Sequence, residues 1–328
     1  MNQVFCLRMI ILAGDPIYRI PNQKFTFMKR VFLLAAIGFL CSLTGKNLHA
    51  QNKIVVFQTD FGVKDGAVSA MKGVANGVSQ DLKLYDLTHE IPAYNVWEAA
   101  YRLEQTVMYW PSGTVFVSVV DPGVGTNRKS VVAKTRTGHY IVTPDNGTLT
   151  FIASSLGIET VREIDESVNR RKGSEKSYTF HGRDVYAYTA ARLASGQISF
   201  EQVGKLLTPA VVMIPYQKAV YRENRIIGNI PILDIQYGNI WTNIDDSCFR
   251  KLNIQPGNSI RVTIKHKGKT LYNQSIPFAQ TFGAVAKGKA LAYQNSLMNL
   301  SFAINQGNFS ENYQIYSGND WEVSISRR

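Results

Sequence analysis

The sequence predicts an α/β protein: an N-terminal α/β domain built on a parallel sheet, followed by a smaller C-terminal β-barrel domain. Three observations carry that expectation. From residue 54 to about 193, apolar runs of strand length alternate with segments whose apolar residues recur at helical spacing, as in a sheet with helices on both faces. Past about residue 210 this gives way to short β-rich stretches separated by turn residues, the pattern of a small barrel or sandwich. The 328 residues suit about two domains. With 45% hydrophobic and 18% charged residues, disorder, collagen-like repeats and a polytopic membrane protein are all disfavoured.

The elements follow in order. Residues 54–60 (IVVFQTD) read as a buried strand that delivers Asp60 to a loop. Residues 65–80 place Val68, Met71, Val74, Ala75 and Val78 on one helical face, and 82–87 form a second strand. Residues 95–110 form a second helix, and 114–120 (TVFVSVV) form the clearest strand, ending at Asp121. In such sheets ligands sit beyond the carboxyl ends of the strands, so Asp60 and Asp121 fall at the functional edge. Residues 130–134 and 139–143 flank Gly138 as a hairpin, and 183–193 form a helix after the loop 177–182. Beyond the boundary come β stretches at 225–233, 239–243, 259–265, 270–276 and 321–326.

The first fifty residues read as an address. Met28-Lys29-Arg30, the apolar run 31–45 and a cleavage point after Ala50 make a signal peptide, with residues 1–27 an upstream extension and Met28 the natural start. The run is shorter than the about 20 residues needed to span a bilayer, so no stable membrane anchor is expected. The expected layout is therefore 1–27 extension, 28–50 signal peptide, 51–215 catalytic α/β domain and 216–328 β-barrel domain. The product is exported, to the periplasm or the medium. Six Lys/Arg against Asp15 give residues 1–50 a charge of +5, so +7 of the total +12 remains for the rest, with no basic run of the kind that binds nucleic acid. Cys6 and Cys41 lie in the leader. That leaves Cys248 without an internal disulfide partner, and its bland reading is a buried, inert thiol.

No His, Cys and carboxylate set has metal-ligand spacing, HExxH and GxSxG are absent, and Gly123-Val124-Gly125 is too little for a dinucleotide site. What remains is an acid, a guanidinium and an imidazole. Asp121 and Arg128 bracket a tight loop containing Pro122, Gly123 and Gly125, and His181 precedes a helix. One reading is an ion pair that ties the loop. The other is a water-activating site in which Asp accepts a proton or orients water, Arg holds charge and His shuttles protons.

Six motifs in order, TDFG with Asp60 and Asp65, LTHEIP (87–92), VVDPGVGTNR (119–128), TPDNG (143–147), FHGRD (180–184) and YGNIWTN (237–243), resemble the S-adenosyl-L-methionine (SAM) hydrolase (adenosine-forming) family, also called SAM hydroxide adenosyltransferases, relatives of fluorinase and chlorinase. The resemblance covers nearly all of residues 53–328. It implies hydrolysis of SAM to adenosine and L-methionine without metal or cofactor, in a homotrimer whose active sites lie between the first domain of one subunit and the second domain of its neighbour. By motif match it implies Asp121, Arg128 and His181 as the catalytic set and Asp60 as the ribose-binding acid. Asp65 falls near the methionine ammonium and Tyr94 beside the ribose and sulfonium. Tyr237, Asn239 and Phe282 fall around adenine, and Ser296 at the carboxylate. Gly182 stands where the halogenases carry a halide-contacting serine, and Asp121 where they carry an uncharged residue. Both differences favour water over halide. The alternatives are a halogenase-like enzyme and an exported protein that binds adenosine or SAM without turnover.

Overall fold

The computed structural model describes residues 52–327; the extension 1–27 and the signal segment 28–50, with Cys6 and Cys41, lie outside the described residues. Seven strands, β1 (Ile54–Thr59), β2 (Lys83–Thr88), β3 (Val115–Val119), β4 (Ser130–Thr135), β5 (Tyr140–Pro144), β6 (Ile158–Glu163) and β7 (Leu206–Leu207), form one sheet in the order β2-β1-β3-β5-β4-β6-β7. β2, β1, β3 and β5 are parallel, as expected. β4, β6 and β7 pair antiparallel, so the sheet is mixed. The cause is local. β4 returns to β5 through a short turn at Gly138 (φ +83°), and a connection that short can only reverse the chain.

Alternation along the strands feeds two cores. Val55, Phe57, Val115, Val117 and Val142 pack with Met71 and Ala75 of helix α1 (Ala67–Val78). Val56, Phe116 and Ile141 face the other way, onto Leu103 and Val107 of α2 (Val96–Val107) and Ile152 of α3 (Thr150–Ser155). Each fully buried side chain of this size contributes roughly 1.5–3 kcal/mol. The Asn95 side chain accepts the Glu98 N–H at 3.0 Å and so caps α2. After α4 (Glu166–Asn169), the helix expected at 183–193 is present, but its first turn, Gly182–Ala187, is π-wound before α5 (Tyr188–Ala194). Such turns are often found at functional sites.

The C-terminal strands do not pair as one closed barrel. β8 (Val220–Arg222), β9 (Arg225–Ile230), β12 (Ser259–His266), β13 (Lys269–Pro277) and β16 (Gly318–Arg327) form one antiparallel sheet. β10 (Ile232–Asp234), β11 (Asn239–Asp245), β14 (Ala290–Gln294) and β15 (Asn299–Ile304) form another. Pro231 explains the split. It interrupts the stretch read as a single strand over 225–233, having no N–H for a ladder, and the chain passes there from one sheet to the other. Ile226, Ile240, Ile260, Val262, Phe302 and Val323 fill the space between the two sheets. The N-terminal part is tied on by Trp97 Nε1–H to the Pro231 carbonyl at 2.7 Å and Arg102 Nη2–H to the Leu233 carbonyl at 2.9 Å. Cys248, on α6 (Asp246–Phe249), is buried and free, and burial pushes its thiol up, which keeps it protonated and inert. Among the described residues no helix is long and apolar enough to cross a membrane.

Candidate active site

β1 ends one residue before Asp60 and β3 two residues before Asp121, so neighbouring parallel strands deliver both carboxylates to the same sheet edge. There they line a cavity of about 240 Å³ together with Phe61, Tyr94, His181 and Gly182. Three residues assigned by separate motifs, Asp121, His181 and Asp60, are thus brought together.

The loop after β3 is wound for one purpose. The Val124 N–H bonds the Asp121 carbonyl at 3.2 Å, the Thr126 N–H bonds the Gly123 carbonyl at 3.1 Å, and Gly125 takes φ +78°. That turn folds Arg128 back onto Asp121. Arg128 Nε donates to both carboxylate oxygens at 3.0 Å, and Nη2 donates to Oδ2 at 2.7 Å. The same guanidinium reaches the Ser130 hydroxyl at 3.1 Å through Nη1 and His181 Nδ1 at 3.2 Å through Nη2. Ser130 in turn bonds the hydroxyl of fully buried Tyr186 at 3.1 Å. Burial alone would weaken Arg128's hold on its proton, but the bonds to Asp121 and the charges around it more than offset this. The side chains of Asp121 and Arg128 are 5% and 11% exposed, so the pair is nearly dry.

Sequence reasoning missed the groups behind the imidazole. Arg170 Nη2 lies 2.8 Å from His181 Nε2, and Glu166 Oε2 lies 3.6 Å from the same nitrogen. Glu166 grips Arg170 through Nε at 3.2 Å and Nη2 at 2.5 Å. Their i,i+4 spacing was the available signal, but nothing in the sequence places that pair against a histidine eleven residues further on. The His181 ring brings the Glu166 carboxyl down to about 2, burial opposing this and Arg170 adding to it. Asp184, fully buried between Arg171 and Arg183, is also low, because the two guanidiniums outweigh its burial. Both folded pKa values lie below the unfolded ones, so both groups stabilise the fold above the ordinary carboxylate range and cease to do so as pH falls through it. The melting temperature is therefore expected to drop as pH falls from about 5 to about 2, and less steeply in Glu166→Gln. A pH-independent melting temperature over that range contradicts the assignment.

The other expected substrate contacts form a second group. Tyr237, Asn239 and Phe282 line a cavity of about 650 Å³, and Phe282 and Ser296 line an adjoining one of about 410 Å³ with Asp234 and Trp241. Asn239 Nδ2 donates to Asp234 Oδ2 at 3.1 Å. Among the described residues, Asn295 Nδ2, a buried donor, has no hydrogen-bond partner. No residue of the first cavity lines these two. Tyr94 (φ +67°) uses its backbone N–H to bond Asp60 Oδ2 at 2.9 Å, yet its ring is 74% exposed, as Tyr237 is at 65%. Asp65 does not line the first cavity. It is exposed, and its carboxylate takes the Ala67 N–H at 2.9 Å where α1 begins.

Known proteins match this chain along most of the described residues. The family described as SAM hydroxide adenosyltransferase matches through its N-terminal domain at residues 55–204 and its C-terminal domain at 228–322. The (R)-S-adenosyl-L-methionine hydrolase of Methanocaldococcus jannaschii is 37% identical over 220 residues, covering 65% of this chain and 74% of that protein. The one from Salinispora tropica is 32% identical over 272 residues, 82% and 97% of the two chains. A fluorinase from Actinopolyspora mzabensis is 26% identical over 298 residues, 83% and 97% of the two. An uncharacterized conserved protein from Thermotoga maritima has a crystal structure that superposes with a TM-score of 0.77 at 34% identity, over 83% of this chain and 100% of that one. With both domain descriptions matched in order and relatives above 30% identity along most of its length, this chain belongs to the SAM hydroxide adenosyltransferase family.

Proposed function

We propose that the protein hydrolyses S-adenosyl-L-methionine to adenosine and L-methionine by attack of water on the ribose C5′. The observation that carries this reading is the Asp121–Arg128–His181 network, whose Asp121 and His181 line one cavity with Asp60. Asp60 spends one bond on the Tyr94 N–H and keeps lone pairs for a ribose diol. Tyr94 stands beside the sugar and sulfonium. Asp121 takes the water proton as the new C5′–O bond forms. The C5′–S bond breaks with its electron pair going to sulfur, so methionine leaves as a neutral thioether and needs no general acid. For the same reason the step calls on no metal or cofactor. Positioning of the water can supply about 7–11 kcal/mol of the barrier.

The remaining contacts complete the substrate. Tyr237, Asn239 and Phe282 hold adenine, with stacking worth roughly 1–3 kcal/mol per ring. Ser296 takes the amino-acid carboxylate. The ammonium is the task implied for Asp65, which a modest turn of its exposed side chain would have to accomplish. A cavity of about 240 Å³ falls below the roughly 300–1,000 Å³ of usual ligand sites, and the adenine group lies on the C-terminal part of the chain. Both facts fit a site completed by a second subunit, one subunit's first cavity meeting its neighbour's second, and the family resemblance implies that the assembly is a homotrimer. The exposed rings of Tyr94 and Tyr237 are then covered by assembly. Export by residues 28–50 belongs to the same proposal, and a mature chain starting at Gln51 would support it.

Water is favoured over halide on two grounds. The Asp121 carboxylate repels an anion at the attack site. A Cβ at Gly182 would also sit 3.1 Å from two Phe61 ring carbons, so a halide-contacting serine has no ready room there. The test is incubation of the purified protein with SAM in heavy-oxygen water. The expected product is adenosine labelled at the 5′-hydroxyl. Unlabelled adenosine, a 5′-halo-adenosine when halide is supplied, or SAM left intact for hours would each overturn the reading.

A further inference from the structure

We propose that His89 is a positioning residue that fixes the ribose-binding carboxylate Asp60 from behind; this rests on the ribose role given to Asp60 above. His89 lies in the LTHEIP segment, is 5% exposed and does not line the cavity. It nevertheless grips the Asp60 turn on both sides. Its Nδ1 lies 2.8 Å from the Thr59 hydroxyl, on the residue before Asp60. Its backbone carbonyl accepts the Gly62 N–H at 2.8 Å, two residues after Asp60. Gly62 takes φ +67°, so the turn between these anchors is one that L side chains rarely adopt.

The hydrogens of this network can be placed in one consistent direction. Asp86 Oδ1 is 2.9 Å from His89 Nε2, and a carboxylate only accepts, so Nε2 carries the ring hydrogen. In the neutral ring Nδ1 is then an acceptor and takes the Thr59 hydroxyl hydrogen. The Thr59 oxygen is left to accept the Phe61 N–H at 3.2 Å. Lys72, from α1, holds the other Asp86 oxygen at 2.6 Å. From Lys72 to Phe61 each link pairs one donor with one acceptor, and the chain of bonds ends on Thr59 and Phe61, the residues on either side of Asp60. A histidine needed only to fill space would not require one nitrogen and its carbonyl committed to the same turn while the other nitrogen is anchored on Asp86. Among the described residues the Asp60 carboxylate has a single bond, to the Tyr94 N–H, so its attitude is set by this backbone rather than by side-chain partners.

The consequence is specific to the diol. Slackening residues 59–62 should weaken ligands that offer two ribose hydroxyls and spare those that lack them. The experiment is calorimetry of the full-length protein with adenosine and with 2′,3′-dideoxyadenosine, on the wild type, His89→Ala, His89→Asn and Thr59→Val, alongside circular dichroism melts. The expected result is a loss of adenosine affinity of roughly tenfold in His89→Ala and Thr59→Val, with dideoxyadenosine changed by less than about twofold. His89→Asn, whose side-chain oxygen can accept the Thr59 hydroxyl, should recover part of the loss. Equal weakening of both nucleosides would make His89 a general support of the fold and overturn the inference, as would no weakening of either. Thr59→Val keeps the test decisive if His89→Ala does not fold. If the wild type binds the two nucleosides alike, the ribose role of Asp60 falls as well, which separates that failure from a failure at His89.

Discussion

Replacing Asp121 with alanine is expected to lower kcat for adenosine formation by roughly 10²–10⁴-fold while leaving KM for SAM within a few-fold of the wild type. The expectation comes from counting lone pairs. Both His181 ring nitrogens face guanidinium groups, Nδ1 toward Arg128 at 3.2 Å and Nε2 toward Arg170 at 2.8 Å. A neutral imidazole has a single lone pair; with Nδ1 accepting from Arg128 and Nε2–H turned to the Glu166 carboxylate 3.6 Å away, the ring offers none toward the cavity. Asp121 takes three bonds from Arg128, yet a carboxylate has about four acceptor sites and this one lines the cavity. In the proposed reaction Asp121, rather than the imidazole, is therefore the expected acceptor of the water proton. Asp121→Asn should be about as inactive as the alanine variant, because an amide neither takes the proton nor presents two acceptors to Arg128. Single-turnover adenosine formation measures this. Retention of more than about a tenth of the wild-type rate in Asp121→Ala would place the proton acceptor elsewhere.

Legibility from the sequence divided along a physical line. Strands such as Ile54–Thr59 and Val115–Val119 were readable because parallel strands buried on both faces are continuous apolar runs. Asp121 and Arg128 were readable as a pair because a short glycine-bearing loop closes between them. The hairpin of β14 and β15 was not. Its turn contains neither glycine nor proline and relies instead on Met298 at φ +61° and on Asn295, whose side chain accepts the N–H groups of Leu297 and Asn299. Pro231 was in plain view inside a stretch taken as one strand, and a residue without an N–H should have divided it. The second ring of the site is hidden for a different reason. Thr59 meets His89 only once β1 and β2 pair, and Glu166 and Arg170 meet His181 only once the loop between them folds back. Asp65 fails in the opposite sense. Its motif match points at the substrate, but the Asp-Gly step before a helix carries its own local explanation, a carboxylate that closes the turn onto the Ala67 N–H.

Arg128→Lys is expected to cost on the order of 100-fold in kcat although the charge is conserved. One guanidinium holds four partners in fixed directions, namely both oxygens of Asp121, the Ser130 hydroxyl and His181 Nδ1, at 2.7–3.2 Å. An ammonium is a point donor on a flexible stem and cannot span that set. It can still neutralise Asp121 at one oxygen, so the fold should survive, whereas Arg128→Ala leaves a carboxylate that is 5% exposed without its partner and should cost roughly 3–5 kcal/mol of stability. With lysine, the carboxylate plane is free to rotate and the water it should hold is no longer in line with C5′. A misplacement of about 1 Å can itself account for a loss of that size. KM for SAM should move little, since Arg128 is not among the residues lining the cavity. The measurement is kcat and KM for adenosine release, set beside thermal melts of both variants. A lysine variant with near-normal kcat would show that only the charge of Arg128 matters. A lysine variant as unstable as the alanine one would show that the fork is needed for folding rather than for turnover.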